Sequence, residues 1–258
     1  MPGYASKLPD ANGRFAYTPD EDAVWGALFT RQIEYLRGRA APEYFEGVEA
    51  LGLSDANVPQ IADIDATLND LTQAGVEGVP AIIPPSQFFD LLSRRRFPVA
   101  TFLRRREDMD YIEEPDLFHE VFGHCPLLTN PAYCDFIERF GKIAVGLGKS
   151  YSWRLFRLFW FTVEFGMIRT PEGLRAYGAG IVSSPSEAEH ATGGKAEMRD
   201  FDLMEVLRLP YRIDIVQPVY FVIDDFEQLA QALDTDLGAA IDKAKAMGDL
   251  PAPFEAAA

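Results

Sequence analysis

The clearest chemical signal in this chain is a pair of histidines. Only three histidines occur in 258 residues, and two of them, His119 and His124, stand five positions apart in Glu114-Pro115-Asp116-Leu117-Phe118-His119-Glu120-Val121-Phe122-Gly123-His124-Cys125-Pro126. A zinc-protease helix carries its histidines at i and i+4, near one face, whereas i and i+5 lie roughly 140° apart around an ideal helix. Both rings can face one metal only if the helix ends between them. Gly123 and Pro126 are residue types that end helices. On this reading Glu120 is a poor candidate for a protease base. Spacing alone also allows two core histidines satisfied by ordinary hydrogen bonds.

A third ligand has to come from elsewhere. Between Trp153 and Ile168, the residues Leu155, Phe156, Leu158, Phe159, Trp160, Phe161, Val163 and Phe165 make a helix that is apolar nearly all round, which predicts burial. Glu164 sits inside that run. An ionised carboxylate there needs a metal, a basic side chain such as Arg157, or a proton. Two neutral imidazoles and one carboxylate suit a facial iron(II) site with open coordination positions. The same set can hold catalytic zinc, and spacing does not choose between them. The clusters Arg94-Arg95-Arg96 and Arg104-Arg105-Arg106 read as solvated faces, and His190 as a surface residue on a capped helix after Ser184.

The elements that must position these residues are mainly helical. Thr18-Pro19-Asp20-Glu21 is a capping box, followed by Val24, Trp25, Leu28, Phe29, Ile33 and Leu36 on one helical face, with Gly38 as a stop. Helical patterns recur over 42–52 and 59–74. Val76–Ile83 reads as a strand ended by Pro84-Pro85, a helix follows from Ser86, and Pro98–Leu103 reads as extended. Asn130-Pro131 opens a helix carrying Tyr133, Phe136, Ile137 and Phe140. Residues 211–222 alternate like paired or hairpin strands, with Pro218 implying an edge or a turn. The expected fold is α+β, mainly helical, a single catalytic domain over 1–258 with a loose N-terminal arm over 1–17 and a C-terminal tail over 235–258.

A formal net charge of −16 argues against nucleic acid or an anionic membrane as a partner. No leader-like basic and apolar pattern and no membrane-length apolar run is visible, so the expected location is cytoplasmic. Two cysteines, Cys125 and Cys134, are too few for a disulfide framework or a four-ligand zinc site and read as small buried residues.

Several ordered segments resemble the pterin-dependent aromatic amino acid hydroxylases, most closely their short bacterial phenylalanine 4-hydroxylase branch. These are Phe102-Leu103-Arg104-Arg105, the Glu114-Pro115-Asp116 stretch with both histidines, Trp160-Phe161-Thr162-Val163-Glu164-Phe165-Gly166, and Ala176-Tyr177-Gly178-Ala179-Gly180-Ile181-Val182-Ser183-Ser184. The resemblance implies iron(II) on His119, His124 and Glu164. It implies that Arg104 grips the substrate carboxylate, that Asp116 orients Arg104 and the ligand histidine, and that Ser183 sits beside that histidine. Pro115, Trp160, Phe165 and Gly180 match the walls of the aromatic-ring pocket, and Ile83, Phe88 and Glu120 match the surroundings of a tetrahydropterin cosubstrate. Ile112 stands where animal members carry threonine, one hydroxyl donor fewer near the substrate carboxylate. The implied activity is O2-dependent hydroxylation of L-phenylalanine to L-tyrosine by a monomer, with small molecules as its partners. L-tryptophan or another aromatic amino acid as substrate, and a zinc hydrolase using the same three ligands, are the rival readings.

Overall fold

The computed structural model describes residues 4–80 and 82–255. Helix α1 (Pro19–Leu36) begins at the expected capping box, with the Thr18 side chain accepting from the Glu21 N–H and Glu21 accepting from the Thr18 N–H. Helices α2 (Pro42–Ala50) and α3 (Ile61–Thr72) follow. Strand β1 (Gly75–Val79) then runs through α4 (Pro85–Ser93) into β2 (Arg96–Ala100), and the two strands pair in parallel. The first strand is shorter than the expected Val76–Ile83. Pro98 is tolerated in β2 because the sheet has two strands, which leaves its nitrogen on an unpaired edge.

Helices α5 (Pro131–Leu147) and α6 (Ser152–Phe159) lead to a second sheet. Strands β3 (Gly166–Thr170) and β4 (Gly173–Ala176) form an antiparallel hairpin. The short α7 (Ala179–Val182), then α8 (Pro185–Thr192), β5 (Glu197–Asp200) and α9 (Leu203–Arg208) precede β6 (Val219–Ile223). Helices α10 (Phe226–Ala232) and α11 (Leu237–Met247) close the described chain. The strand order is β4-β3-β6-β5, with β6 parallel to both neighbours. None of the described helices is long and apolar enough to cross a membrane.

Three expectations are corrected here. The predicted helix over Trp153–Ile168 stops at Glu164, and Gly166 starts a strand. A continuous apolar run fits a buried helix followed by a buried strand as well as it fits one long helix, so periodicity could not place the break. The predicted hairpin over 211–222 is a loop followed by one fully buried central strand, because Pro218 stands just before the ladder instead of within it. The arm expected to be loose has no regular element over 4–17 but is anchored. Lys7 N donates to Thr101 Oγ1 at 3.0 Å, Phe15 and Gln60 exchange two hydrogen bonds of 2.8 and 3.1 Å, and the Phe15 ring is buried.

The core is one cluster of buried apolar side chains, and it presses directly on the histidine segment. Phe118 and Phe122 stack at 4.7 Å, with Trp25 edge-on to Phe118 at 5.4 Å and Phe29 edge-on to Phe122 at 5.6 Å. Each such ring is worth about 1.5–3 kcal/mol of burial. The segment's apolar face is therefore held against α1, which leaves its polar face to the interior of the site.

Helix α8 is tied to the second sheet by a buried carboxylate. Glu187 Oε1 accepts from Tyr220 OH at 2.6 Å and from Gln217 N at 2.9 Å. Burial pushes this carboxyl up to about 7 despite both donors. The folded state thus keeps the proton to higher pH than the unfolded chain, where glutamate titrates near ~4.3. This group's contribution is most favourable below that value and is lost as pH rises through about 7. Glu187→Gln removes the ionisation, so its Tm should exceed that of the wild type by a few degrees at pH 8 and converge with it near pH 4.5. Thermal unfolding across pH checks this; a gap independent of pH would assign the effect to packing.

Candidate metal centre

The histidine pair meets by a route different from the one spacing suggested. The helix does not end between His119 and His124; it widens into a π-helix over His119–His124, and Cys125 N–H donates to Glu120 O five residues back. In an i→i+5 turn, residues five apart face the same side. Pro126 assists because it has no N–H to offer Phe122 O, and that carbonyl accepts from Tyr44 OH at 2.8 Å instead. The carboxylate arrives on a second π-helix, Trp160–Glu164, with Phe165 N–H donating to Trp160 O. Thr162 Oγ1 donates to Leu158 O at 2.6 Å, a back-bond of the kind that bends helices.

These two widened turns bring three donor groups together. His119 Nε2 lies 3.1 Å from Glu164 Oε1, His124 Nε2 lies 3.2 Å from Glu164 Oε2, and the two Nε2 atoms are 3.2 Å apart. Metal–ligand bonds of about 2.1 Å at right angles place neighbouring donors about 3.0 Å apart, so the triangle fits one face of a metal's coordination shell. Glu120 is also close, with Oε2 at 3.8 Å from His124 Nε2. Its oxygen lies within 4.8 Å of a ring nitrogen of each histidine, whereas Glu164 reaches both at 3.1 and 3.2 Å, so Glu164 is the better third ligand.

Electrostatics supports a cation at this point. Burial alone would lower His119, but the Glu164 carboxylate lifts it to about 9. Burial lowers His124 and outweighs Glu164 there. Burial would raise Glu164, yet the two imidazoles hold it far below the carboxylate range. A divalent ion satisfies all three groups without a bound proton. Arg157 does not take that part: it donates to Asp249 at 2.7 and 2.8 Å, which overturns the Arg157–Glu164 pairing.

Partners behind the ligands orient them. His119 Nδ1 lies 2.9 Å from Ser183 Oγ, which leaves Nε2 directed at the cluster. Asp116, fully buried, accepts from Arg104 Nε at 2.9 Å, Arg104 Nη2 at 2.8 Å, Arg104 N at 2.9 Å and His119 N at 3.1 Å. Burial works against both charges of this pair, but Arg104 keeps Asp116 below its ordinary value and Asp116 raises Arg104 in turn. Arg104 is therefore a buried residue, not part of a solvated basic face. The three atoms it commits leave Nη1 without a hydrogen-bond partner among the described residues.

An aromatic enclosure surrounds the cluster. Trp160 and Phe165 meet at 4.6 Å, and a Cβ at Gly180 would fall 2.6 Å from Phe165 Cζ and 3.1 Å from Glu164 Oε1, so only glycine leaves that space open. Phe97 lies over the His124 ring at 4.5 Å. Phe88, half-buried on α4, is edge-on to Phe159 at 5.1 Å, and Phe159 in turn lies 6.2 Å from His124. Ile83 and Pro115 are half-buried in the segments leading into α4 and into the histidine turn. His190 is half-buried near the Tyr220 ring, outside the cluster. The sequence reading missed Tyr211, which stacks on Trp160 at 4.5 Å, and Gln217, which accepts from Trp160 Nε1 at 2.9 Å. A lone glutamine in an apolar stretch was the available signal for the second.

Two imidazoles and one buried carboxylate around a single point are the donor set of the facial two-histidine, one-carboxylate class of mononuclear non-haem metal centres. The family model described as biopterin-dependent aromatic amino acid hydroxylase matches residues 4–244, and the chain belongs to that family. A phenylalanine-4-hydroxylase of Pseudomonas aeruginosa is 44% identical over 251 residues, covering 97% of this chain and 95% of the relative. The phenylalanine hydroxylase of Legionella pneumophila superposes with a TM-score of 0.94 at 42% identity, over 97% of this chain and 100% of the other. The Chromobacterium violaceum phenylalanine hydroxylase with bound oxidised Fe(III) gives a TM-score of 0.90 at 39% identity, over 97% of this chain and 91% of the other.

Removing one partner of a buried ion pair leaves an uncompensated charge. Asp116→Ala should cost about 3–5 kcal/mol of unfolding free energy, and adding Arg104→Met should restore most of it. Urea unfolding of the two variants measures both effects; a double variant as unstable as the single one would show that Asp116 acts mainly through the His119 N–H.

Proposed function

We propose that this chain is an iron(II)- and tetrahydropterin-dependent monooxygenase that converts L-phenylalanine and O2 to L-tyrosine. The observation that carries the proposal is the triangle of His119 Nε2, His124 Nε2 and the Glu164 carboxylate, closed within 3.2 Å. Its support is a family defined by pterin-dependent hydroxylation and relatives named for phenylalanine, one of them holding Fe(III). Membership in that family leaves the hydrolytic zinc reading without support.

When bound, iron(II) and the reduced pterin supply the redox chemistry that divides O2 between the aromatic ring and the pterin. The chain's own residues bind, orient and exclude water. Arg104 Nη1 is the group free to take the amino acid carboxylate, while Asp116 holds the guanidinium plane. Trp160, Phe165, Pro115 and the space over Gly180 receive the ring by shape and apolar contact. Ser183 fixes the ring of His119. Phe88 offers a face for the pterin, Ile83 stands in the segment leading into the same helix, and Glu120 offers a carboxyl group for the pterin's ring nitrogens. Burial pushes Glu120 up to about 8, with Glu164 and Asp116 adding to the rise and His119 opposing it.

Iron(II)-loaded protein supplied with phenylalanine, O2 and tetrahydropterin should release tyrosine together with oxidised pterin. No hydroxylated product from phenylalanine, tryptophan or another aromatic amino acid would overturn the proposal, and tryptophan preferred over phenylalanine would move the substrate assignment. Glu164→Gln should weaken iron(II) binding at least about tenfold, since even orienting partners of ligands are worth that much. Titration calorimetry with iron(II) under argon reads it.

A further inference from the structure

The loop between α9 and β6 carries, one residue before its end, a glutamine whose side-chain oxygen and nitrogen are both committed. Gln217 is 1% exposed. Its Nε2 donates to Arg212 O and Ile215 O, both at 2.9 Å, and its backbone N donates to Glu187 Oε1 at 2.9 Å. Glu187 is in turn held by Tyr220 OH at 2.6 Å. Two carbonyls facing one end of the amide fix which end is NH2, because a flipped amide would set oxygen against oxygen. Oε1 is then left with one direction, and it accepts from Trp160 Nε1 at 2.9 Å.

We infer that Gln217 is the positioning residue for Trp160, locking the indole so that the substrate-ring pocket has one depth and shape. The inference rests on the proposed function, in which Trp160 lines that pocket. Tyr211 stacks on the indole at 4.5 Å and Phe165 is tilted against it at 4.6 Å. Those contacts are apolar and specify no direction for the indole N–H. The hydrogen bond to Gln217 supplies the directional term. Trp160 also lies at the start of the turn that ends in Glu164, and its carbonyl accepts from Phe165 N–H. That bond fixes the backbone at Trp160, so what Gln217 orients is the indole side chain. Among the described residues Gln217 makes no hydrogen bond to His119, His124 or Glu164, and its side-chain acceptor meets Trp160 alone, so it acts through Trp160.

Gln217→Met keeps the length and removes the acceptor. In 15N-labelled protein the Trp160 indole N–H signal, assigned by its loss in Trp160→Phe, should move upfield and exchange with solvent faster in Gln217→Met. In turnover, KM for phenylalanine should rise and the phenylalanine-to-tryptophan ratio of kcat/KM should fall about three- to tenfold, the worth of one hydrogen bond. KM for the pterin and iron(II) affinity should be unchanged. In the Trp160→Phe background, Gln217→Met should have no further effect on the ratio, because neighbours acting through one contact are not additive. A shifted indole signal with an unchanged ratio, or additive effects in the double variant, overturns the inference and leaves Gln217 a staple of the loop. Should Gln217→Met fail to fold, Trp160→Phe alone must lower the ratio, and an unchanged ratio is equally fatal. A wild-type protein that hydroxylates no aromatic amino acid overturns the functional reading; an active wild type with a Gln217→Met variant of equal selectivity overturns this inference alone.

Discussion

A carboxylate placed in an apolar interior must be met there by positive charge, and the centre of this molecule is organised around that demand. Glu164 follows a run of aromatic and aliphatic residues and is itself only 9% exposed. The basic residue best placed in sequence, Arg157, turns away to Asp249, leaving two imidazoles as the groups within reach. Those imidazoles are themselves desolvated, and burial has already lowered His124. A proton held on His119 would satisfy Glu164 but would leave His124 facing a second ring nitrogen at 3.2 Å. A divalent ion removes both conflicts at once, which makes the metal part of the fold's internal charge balance as well as of its chemistry.

Both ligand segments reach this point through π-helical turns. Such turns are rare because they give up regular α-helical bonding, and they persist where other contacts compensate. Here the compensation is specific. Tyr44 supplies the donor that Pro126 lacks, and the stacked pair Phe118 and Phe122, wedged by Trp25 and Phe29, resists any slip of the histidine turn back to α-helical pitch. On the other side, Gly166 lets the Tyr177 ring come within 2.1 Å of where a Cβ would sit, which secures the exit of the Glu164 turn into β3.

The legibility of this arrangement in the sequence follows from which forces are local. The capping box at Thr18 and the apolar face of α1 depend on neighbours in the chain, and they stand where the residues place them. His119, His124 and Glu164 were visible as a concentration of scarce residue types and as a charge in an apolar run. Their meeting geometry was not, because an i, i+5 pair argues against a shared face on any α-helix and nothing local announces a π-turn. Likewise the apolar stretch from Trp153 conceals a break between helix and strand that only Gly166 marks. The single strand β6 draws its pairing from β3 and β5, far away in sequence, whereas the alternation over 211–222 by itself suggests local pairing. Tyr211 and Gln217 join the site through that same long-range closure.

One carboxylate links the two halves of the site. Asp116 Oδ1 accepts from Arg104 Nη2 and from His119 N, while Oδ2 accepts from Arg104 Nε and Arg104 N. The proposed anchor for the substrate carboxylate and the backbone of a metal ligand are thus referred to the same rigid, fully buried group. On the proposed reading, a substrate held at Arg104 would be measured against the metal through Asp116 over a path of hydrogen bonds, each 3.1 Å or shorter. The proposed far wall, Trp160 and Phe165, is built differently: it rests on ring packing and on a loop that arrives late in the chain. The division follows the chemistry required. The distance from carboxylate anchor to metal is common to every aromatic amino acid, whereas the shape around the ring is what distinguishes one from another.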